Sequence, residues 1–388
     1  MEPETAMRRA LAAARRASGR TWPNPPVGSV IVRGDRVLGV GATQPPGGPH
    51  AEIVALAAAR RRHGAAALRG ATLATTLEPC CHTGRTGPCD RAVIEAGIAR
   101  VWVGERDPNP LVAGGGLRRL RRAGLDVRVG VLAAECAEQH RGFTTRLALG
   151  RPLVALKLAA TLDGRIATLG GESRWITGPA ARARVHVLRA RSDAIAVGAE
   201  TALADDPELT ARRGRHVVHR PVRVVFDTGL RLSPRSRLAR ARDADRTWVL
   251  AGAGAPAARR RALEARGVRI LEVGGQGGRL DLRRALARLG REGLTTLLVE
   301  GGGTLAAALL RAGLVDELHW FAAPSLLGGD ARPALGPLAI RRLAGRVALE
   351  GARVIRLGPD LYIHGKVAGA PRTAASPPGP GRRTERAR

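Results

Sequence analysis

One histidine, one carboxylate and two cysteines fall into two short stretches of this 388-residue chain: Pro49-His50-Ala51-Glu52, and Glu78-Pro79-Cys80-Cys81-His82 continuing to Cys89. An imidazole and two thiolates supply three zinc ligands and leave the fourth corner of a tetrahedron open to water. Glu52, two residues from His50, then stands beside that corner as a proton carrier. Structural zinc usually closes its shell with four protein ligands, and here the count stops at three unless His82 or Cys81 is recruited. A lone histidine or cysteine is an ordinary core or surface residue, but this combination predicts a hydrolytic centre. His50, Cys80 and Cys89 are its ligands and Glu52 is its catalytic group.

The elements around these residues are legible. Gly47-Gly48-Pro49 leads into a helical stretch at 51–62, so His50 and Glu52 fall at a helix N-terminus, where the dipole is positive. A strand at 71–76 ends at Glu78-Pro79. Proline suits the first position of a helix, which predicts a helix opening at Pro79 with Cys80 in its first turn and a correspondingly acidic thiol. Upstream, 5–18 has helical spacing of Ala and Leu, and 27–32 and 36–42 read as a hairpin through Gly34-Asp35. Between them, Trp22-Pro23-Asn24-Pro25-Pro26 is a rigid turn in which Asn24 offers both a donor and an acceptor. Glu78 reads as a cap or salt-bridge partner outside the catalytic set, and Cys81 and Cys136 as small core residues.

Segments 93–103 and 117–131 complete a helix-strand alternation, and Glu135 to Gly150 is helical up to a boundary at Gly150-Arg151-Pro152. The pattern then restarts. An apolar strand at 153–159 is broken by Lys157, whose burial costs several kcal/mol without a partner, so this lysine is expected to be functional. Further strands read at 194–198, 222–227, 247–251 and 295–299. The last runs into Glu300-Gly301-Gly302-Gly303-Thr304, a glycine turn of the kind that lets backbone N–H groups approach a phosphate. Gly274 to Gly278 reads as a flexible loop.

Composition limits the function classes. The formal charge is +31, but only Lys157 and Lys366 are lysines and the arginines are spread along every segment, while aromatic residues are 2%. Without aromatics for base stacking, nucleic acid is not the expected partner. Four cysteines, two of them in the metal pattern, make no disulfide framework. With no signal-like apolar stretch and no run of eighteen apolar residues, a cytoplasmic protein with no membrane partner is expected. The stretch after 367 is Pro, Gly, Ser and Arg and is expected to be a disordered tail.

The residues of both halves carry a resemblance. His50-Ala51-Glu52, Glu78-Pro79-Cys80, Gly84-Arg85-Thr86 to Cys89 and Asp107-Pro108-Asn109-Pro110 with Val112-Ala113-Gly114 closely resemble the deaminase half of the bifunctional riboflavin-biosynthesis deaminase-reductases. H-x-E followed by P-C marks zinc nucleobase deaminases generally. Most such sites have two residues between the cysteines, whereas this family has eight, as between Cys80 and Cys89 here. Cys81 stands where a serine is common, and Gly87 where a proline is usual. Lys157, Asp163-Gly164-Arg165, Trp175-Ile176-Thr177, Ala204-Asp205-Asp206-Pro207 and the glycine turn look like the reductase half of the same enzyme.

The resemblance implies an α/β fold: an N-terminal cytidine-deaminase-like three-layer domain (1–149) plus a C-terminal domain similar to dihydrofolate reductase (150–367). It implies zinc-dependent hydrolytic deamination of 2,5-diamino-6-(5-phosphoribosylamino)pyrimidin-4(3H)-one, a small-molecule phosphoribosyl pyrimidine. NADPH-dependent reduction of the ribosyl chain of 5-amino-6-(5-phosphoribosylamino)uracil to ribityl follows. Carried onto matching positions, Ala159, Trp175, Thr201, Asp205, Thr228, Gly302, Gly303 and Thr304 are expected at NADPH. Asn24, Ser173, Arg189, Leu209, Arg212 and Glu300 are expected at substrate. Lys157 and Asp205 join Glu52 as catalytic candidates, with Glu300 also a candidate for the reductase's polar roles, and a homo-oligomer is expected. The rivals are a nucleic-acid deaminase, suggested by charge, and a binding protein in which zinc only stabilises the fold.

Overall fold

A computed structural model describes residues 1–82 and 87–370. Gly84-Arg85-Thr86 and the tail from residue 371 lie outside the described residues. The chain divides into two compact units, one formed by Met1–Ala17 and Asn24–Ala148, the other by Ser18–Pro23 and 149–370.

The first unit runs α1 (Pro3–Ala17), β1 (Gly28–Arg33), β2 (Arg36–Ala42), α2 (Ala51–His63), β3 (Thr72–Leu77), α3 (Cys89–Glu95), β4 (Arg100–Glu105), α4 (Gly115–Arg122), β5 (Asp126–Val129) and α5 (Ala133–Leu149). Its sheet has the order β2-β1-β3-β4-β5, antiparallel on either side of β1 and parallel from β3 to β5. The period-two alternation of β1 assigns its two faces. Val30 and Val32 join Ala6, Met7, Ala10 and Leu11 of α1, with Cys136 of α5. Ile31 points the other way, to Ala55, Leu56 and Ala59 of α2, Val93 of α3 and Leu120 of α4. The result is a three-layer α/β/α arrangement. Central β3, buried at every position, delivers the chain to Glu78.

Two glycines of β2 let α2 lie close to the sheet. A Cβ on Gly41 would meet Ala51 O at 2.1 Å, and one on Gly39 would meet Ala55 O at 2.4 Å. The helix start that carries His50 and Glu52 is therefore seated on backbone.

The second unit runs β6 (Leu153–Thr161), β7 (Arg165–Ala167), α6 (Pro179–Arg191), β8 (Ala194–Gly198), α7 (Ala199–Asp205), β9 (Ala211–Arg213), β10 (His216–His219), β11 (Val222–Phe226), β12 (Thr247–Ala251), α8 (Ala257–Glu264) and β13 (Arg269–Glu272). It continues through β14 (Gly275–Gln276), β15 (Arg279–Leu280), α9 (Leu282–Arg291), β16 (Thr296–Glu300), α10 (Gly303–Arg311), β17 (Glu317–Ala323), β18 (Arg332–Pro333), β19 (Leu349–Leu357) and β20 (Asp360–Val367). Nine strands form one sheet in the order β13-β12-β11-β8-β16-β6-β17-β20-β19, parallel from β13 to β17 and closed by antiparallel β20 and β19.

Val154, Leu156 and Leu158 of β6 face the core under α9 and α10. Lys157 and Ala159 therefore face the opposite side, where Ala159 packs with Ala181 and Val185 of α6. Residues 18–23 belong to this unit through Trp22, which packs on its main core and meets Trp248 edge to face, centroids 6.1 Å apart. Arg151, at the boundary read from sequence, is buried and forks onto Asp316 at 2.7 and 2.9 Å.

Two local expectations are corrected. No helix opens at Pro79: 78–81 has no regular secondary structure and the helix begins at Cys89, with Pro88 as its N-cap. The first N–H groups of α3 turn back to Cys80 instead, Cys89 N donating to its Sγ at 3.4 Å and Asp90 N to its carbonyl at 3.2 Å. Cys80 thus satisfies a helix start that lies downstream of it. Second, Gly274 to Gly278 is no simple loop, since β14 and β15 pair in a short antiparallel ladder.

Candidate metal centre and cofactor cleft

His50 is the N-cap of α2, extended at φ −71° and ψ 164°, which turns its ring away from the helix that Glu52 has already entered. Its Nδ1 lies 3.5 Å from Cys80 Sγ and 3.3 Å from Cys89 Sγ, and the three donor atoms all lie within 4.8 Å of one another. A tetrahedral zinc with ordinary Zn–S and Zn–N bonds separates such donors by about 3.6 Å, so the set fits the ion as it stands. Among the described residues no other group of His, Cys, Asp and Glu converges in this way. Cys81 faces elsewhere, with its Sγ near Leu111 O at 4.0 Å and against Gly115.

The thiols of Cys80 and Cys89 share a proton unequally. The hydrogen bond from Cys89 pulls Cys80 down to about 4, with His50 adding to the effect, whereas Cys89 is pushed upward by the same bond and by burial. Burial, reinforced by the Cys80 charge, raises Glu52 to about 7. Its side chain is 4% exposed. Asn24 is half-buried in the turn before β1. Val27, three residues on, packs with Ala51 and Leu77, next to His50 and Glu78 respectively, and so holds the proline arm at this end of the sheet.

In the second unit, Lys157 and Glu300 are register partners on β6 and β16, with Nζ to Oε2 at 3.9 Å. Arg189 of α6 grips Glu300 through two bonds, Nε–Oε1 2.5 Å and Nη2–Oε2 2.8 Å. Burial lowers the Lys157 ammonium, against the opposing pull of Glu300. Arg189 also donates to Thr210 O at 3.1 Å, and Arg212 to Thr210 Oγ1 at 3.1 Å while pairing with Glu208. Leu209, buried at φ +51°, lies between. Five of the residues read from sequence, Lys157, Arg189, Leu209, Arg212 and Glu300, are thus assembled around one strand end.

Thr201, Thr228 and Gly302 follow the carboxyl ends of β8, β11 and β16, the end at which open α/β sheets bind ligands. Gly301 and Gly302 are left-handed at φ +91° and +82°, and a Cβ at Gly302 would come 3.3 Å from Thr201 Oγ1. This glycine cradle, with Gly303 and Thr304 opening α10, fits the phosphates of a dinucleotide. Asp205 ends α7 and is tied to the 171–178 loop, since Arg174 donates to its carbonyl at 3.0 Å. In that loop Ser173 is half-buried and Trp175 is 71% exposed, its ring under the Arg182 guanidinium at 4.6 Å. Neither reaches the Lys157–Glu300 pair through a direct hydrogen bond or ion pair.

Glu78, read from sequence as a cap or salt-bridge partner outside the catalytic set, is 3% exposed and accepts three backbone N–H groups, so it acts as a cap. Its position at the end of a fully buried strand is the signal that it does more than a surface carboxylate.

Comparison with known proteins covers both units. Residues 1–105 match the family described as the cytidine and deoxycytidylate deaminase zinc-binding region, and residues 152–363 match the RibD C-terminal domain. The chain is 42% identical over 384 residues to the riboflavin biosynthesis protein RibD of Escherichia coli K12, covering 94% of this chain and 99% of that protein. It is 37% identical over 357 residues to the RibD of Aquifex aeolicus, covering 92% and 96%. Among solved structures it resembles Acinetobacter baumannii RibD, with TM-score 0.82 and 36% identity over 94% of this chain and 98% of that one. It also resembles a diaminohydroxyphosphoribosylaminopyrimidine deaminase/5-amino-6-(5-phosphoribosylamino)uracil reductase of Thermotoga maritima, with TM-score 0.78 and 32% identity over 94% and 98%.

Proposed function

The chain belongs to the RibD family of bifunctional riboflavin-biosynthesis enzymes, with a zinc-dependent deaminase in its first half and an NADPH-dependent reductase in its second, and we propose from that premise how its own residues divide the work. The substrate of the first half is 2,5-diamino-6-(5-phosphoribosylamino)pyrimidin-4(3H)-one. The second half reduces the ribosyl chain of the deaminated product to ribityl. The functional domains run 1–149 and 150–367, a division supported by the extents of the two family matches.

The convergence of His50, Cys80 and Cys89 carries the deaminase reading, since these three hold zinc. When bound, zinc supplies the Lewis acidity that activates water. Glu52 holds a proton at its carboxylate, passes it to the ring nitrogen and assists the departure of ammonia. Its burial keeps bulk water from competing for that proton. Asn24 orients the pyrimidine edge through its donor and acceptor.

In the reductase, NADPH supplies the hydride for C1 of the opened ribosyl group. Thr201, Thr228 and the Gly302-Gly303-Thr304 turn, with Ala159, Trp175 and Asp205, would hold NADPH. Arg189, Arg212, Ser173, Leu209 and Glu300 bind substrate, the arginines through their planar forks. Lys157, held beside Glu300 at 3.9 Å, and Asp205 are the groups assigned the polar roles of the hydride transfer, with Glu300 also a candidate. Exposed Val354 and Ile355 on edge strand β19 support assembly into a homo-oligomer. No helix among the described residues is long and apolar enough to cross a membrane, and this, with all four cysteines unpaired, supports a cytoplasmic location.

The test is an assay of the purified protein with the diaminopyrimidinone phosphoriboside, following ammonia release and NADPH oxidation separately. Glu52→Gln should retain zinc while ammonia release falls about 10²- to 10⁴-fold. Undiminished release in that variant removes Glu52 from the mechanism.

A further inference from the structure

Glu78 precedes Cys80 by two residues and is 3% exposed. Three main-chain N–H groups, rather than a side-chain cation, are its partners among the described residues. Oε2 accepts from Asp107 N at 3.2 Å and Gly114 N at 3.0 Å, and Oε1 accepts from Leu117 N at 3.1 Å. Asp107 and Gly114 are the two ends of one loop, and Leu117 lies in the first turn of α4. A single carboxylate therefore closes the loop and caps the following helix, and anionic charge is favoured at that helix end.

Two further contacts reach the loop from outside, Arg106 Nη2 donating to Ala113 O at 3.4 Å and Cys81 Sγ lying 4.0 Å from Leu111 O, and its remaining bonds are internal. Asn109 N donates to Asp107 Oδ1 at 2.8 Å, Leu111 N to Asn109 Oδ1 at 3.1 Å, and Val112 and Ala113 N to Asn109 O at 2.9 and 3.0 Å. It is the Asp107-Pro108-Asn109-Pro110 and Val112-Ala113-Gly114 motif, to which the metal site has given no role.

The same helix touches both cysteine segments. Gly115 and Gly116 allow the approach: a Cβ on Gly116 would sit 2.0 Å from Pro79 O, and one on Gly115 2.6 Å from Cys81 Sγ. One turn on, Arg119 donates from Nη1 to Cys81 O at 2.7 Å and pairs through Nε with Asp90 Oδ2 at 3.1 Å. Cys81 and Asp90 each adjoin a metal ligand. Glu78 fixes where α4 starts, and α4 then fixes the flanks of Cys80 and Cys89.

We propose that Glu78 is a positioning residue of the deaminase, its buried carboxylate locking the 107–117 loop and the Cys80–Cys89 ligand pair into one rigid unit. The proposal rests on His50, Cys80 and Cys89 being the zinc ligands. Glutamine has nearly the same shape but one acceptor oxygen, so whichever way its amide turns, an NH₂ faces a backbone N–H and at least one donor loses its partner.

The test uses the full-length, zinc-loaded protein carrying Glu78→Gln. Zinc affinity by competition with a chromophoric chelator and the kcat of deamination should each fall about 10- to 100-fold, the usual effect of losing an outer support of a metal site. The visible absorption of the cobalt-substituted form should shift, and NADPH oxidation with supplied deaminated substrate should stay within twofold, reporting that the chain is folded. Unchanged zinc affinity and cobalt spectrum overturn the proposal. Should NADPH oxidation also collapse, hydrogen exchange on the unmodified enzyme decides: stripping zinc should speed exchange at the amides of Asp107, Gly114 and Leu117 at least tenfold, because coupling is reciprocal, and equal exchange overturns it. Cys80→Ser separates the two readings. Retained zinc there sinks the ligand assignment, whereas lost zinc there with a normal Glu78→Gln sinks only the role of Glu78.

Discussion

Lys157 shows how a single residue can be costly to bury and cheap to remove. Its ammonium is desolvated on the α6 face of the sheet, yet its counter-charge Glu300 is already held by both arms of Arg189. Replacing Lys157 with methionine leaves no unpaired carboxylate, so the expected loss of stability is small, below the 3–5 kcal/mol typical of breaking a buried pair. NADPH-dependent turnover, by contrast, should fall about a hundredfold or more if the lysine serves the reacting carbon. Steady-state rates and a thermal melt of Lys157→Met measure both, and a normal rate takes Lys157 out of the site. The lysine was legible in sequence because a charge inside an apolar strand demands a partner, although the partner's identity was not. For Glu78 a capping role was legible but what it caps was not, because its partners are backbone groups of residues 107, 114 and 117, which leave no side-chain mark on the sequence.

At the scale of elements, the metal centre is placed by how closely α2 approaches β2. Gly41 meets the first turn of that helix, where Ala51 O lies 2.1 Å from the position a Cβ would take. Gly41→Ala must push the start of α2 outward and carry His50 with it, while Cys80, just past β3, and Cys89 of α3 stay in place. Zinc affinity should drop about 10- to 100-fold with NADPH oxidation of supplied deaminated substrate intact, and a zinc titration of the variant checks it. Helix and strand periodicity gave the extents of α2, β2 and β3 closely. The helix misplaced at Pro79 shows where periodicity stops being informative. Proline permits a helix start there, but no helix forms because Cys80 must both reach His50 and receive the N–H groups of α3. Which of two possible helix starts forms is decided by those tertiary partners.

At the scale of the whole molecule, each unit encloses cores of its own, one between α1, α2 and the first sheet, another under α9 and α10 of the second. Metal removal is therefore expected to act on one activity alone. Stripping zinc with a chelator should abolish ammonia release, leave reduction of supplied deaminated substrate within twofold, and allow full recovery on zinc return. Loss of both activities would refute the separation. The two-domain plan was readable from a pattern that restarts after residue 150, but the membership of residues 18–23 was not, since nothing local to Trp22 announces Trp248 as its neighbour. That pairing bears on how the chain is made. Trp22 leaves the ribosome 226 residues ahead of Trp248 (248 − 22), which at ~5–20 residues per second is a wait of ~10–45 s. For roughly the second half of that interval, once β5 has been made, every strand of the first unit exists while the Trp22 indole still lacks its partner, so the nascent chain is expected to carry an exposed apolar side chain until β12 arrives.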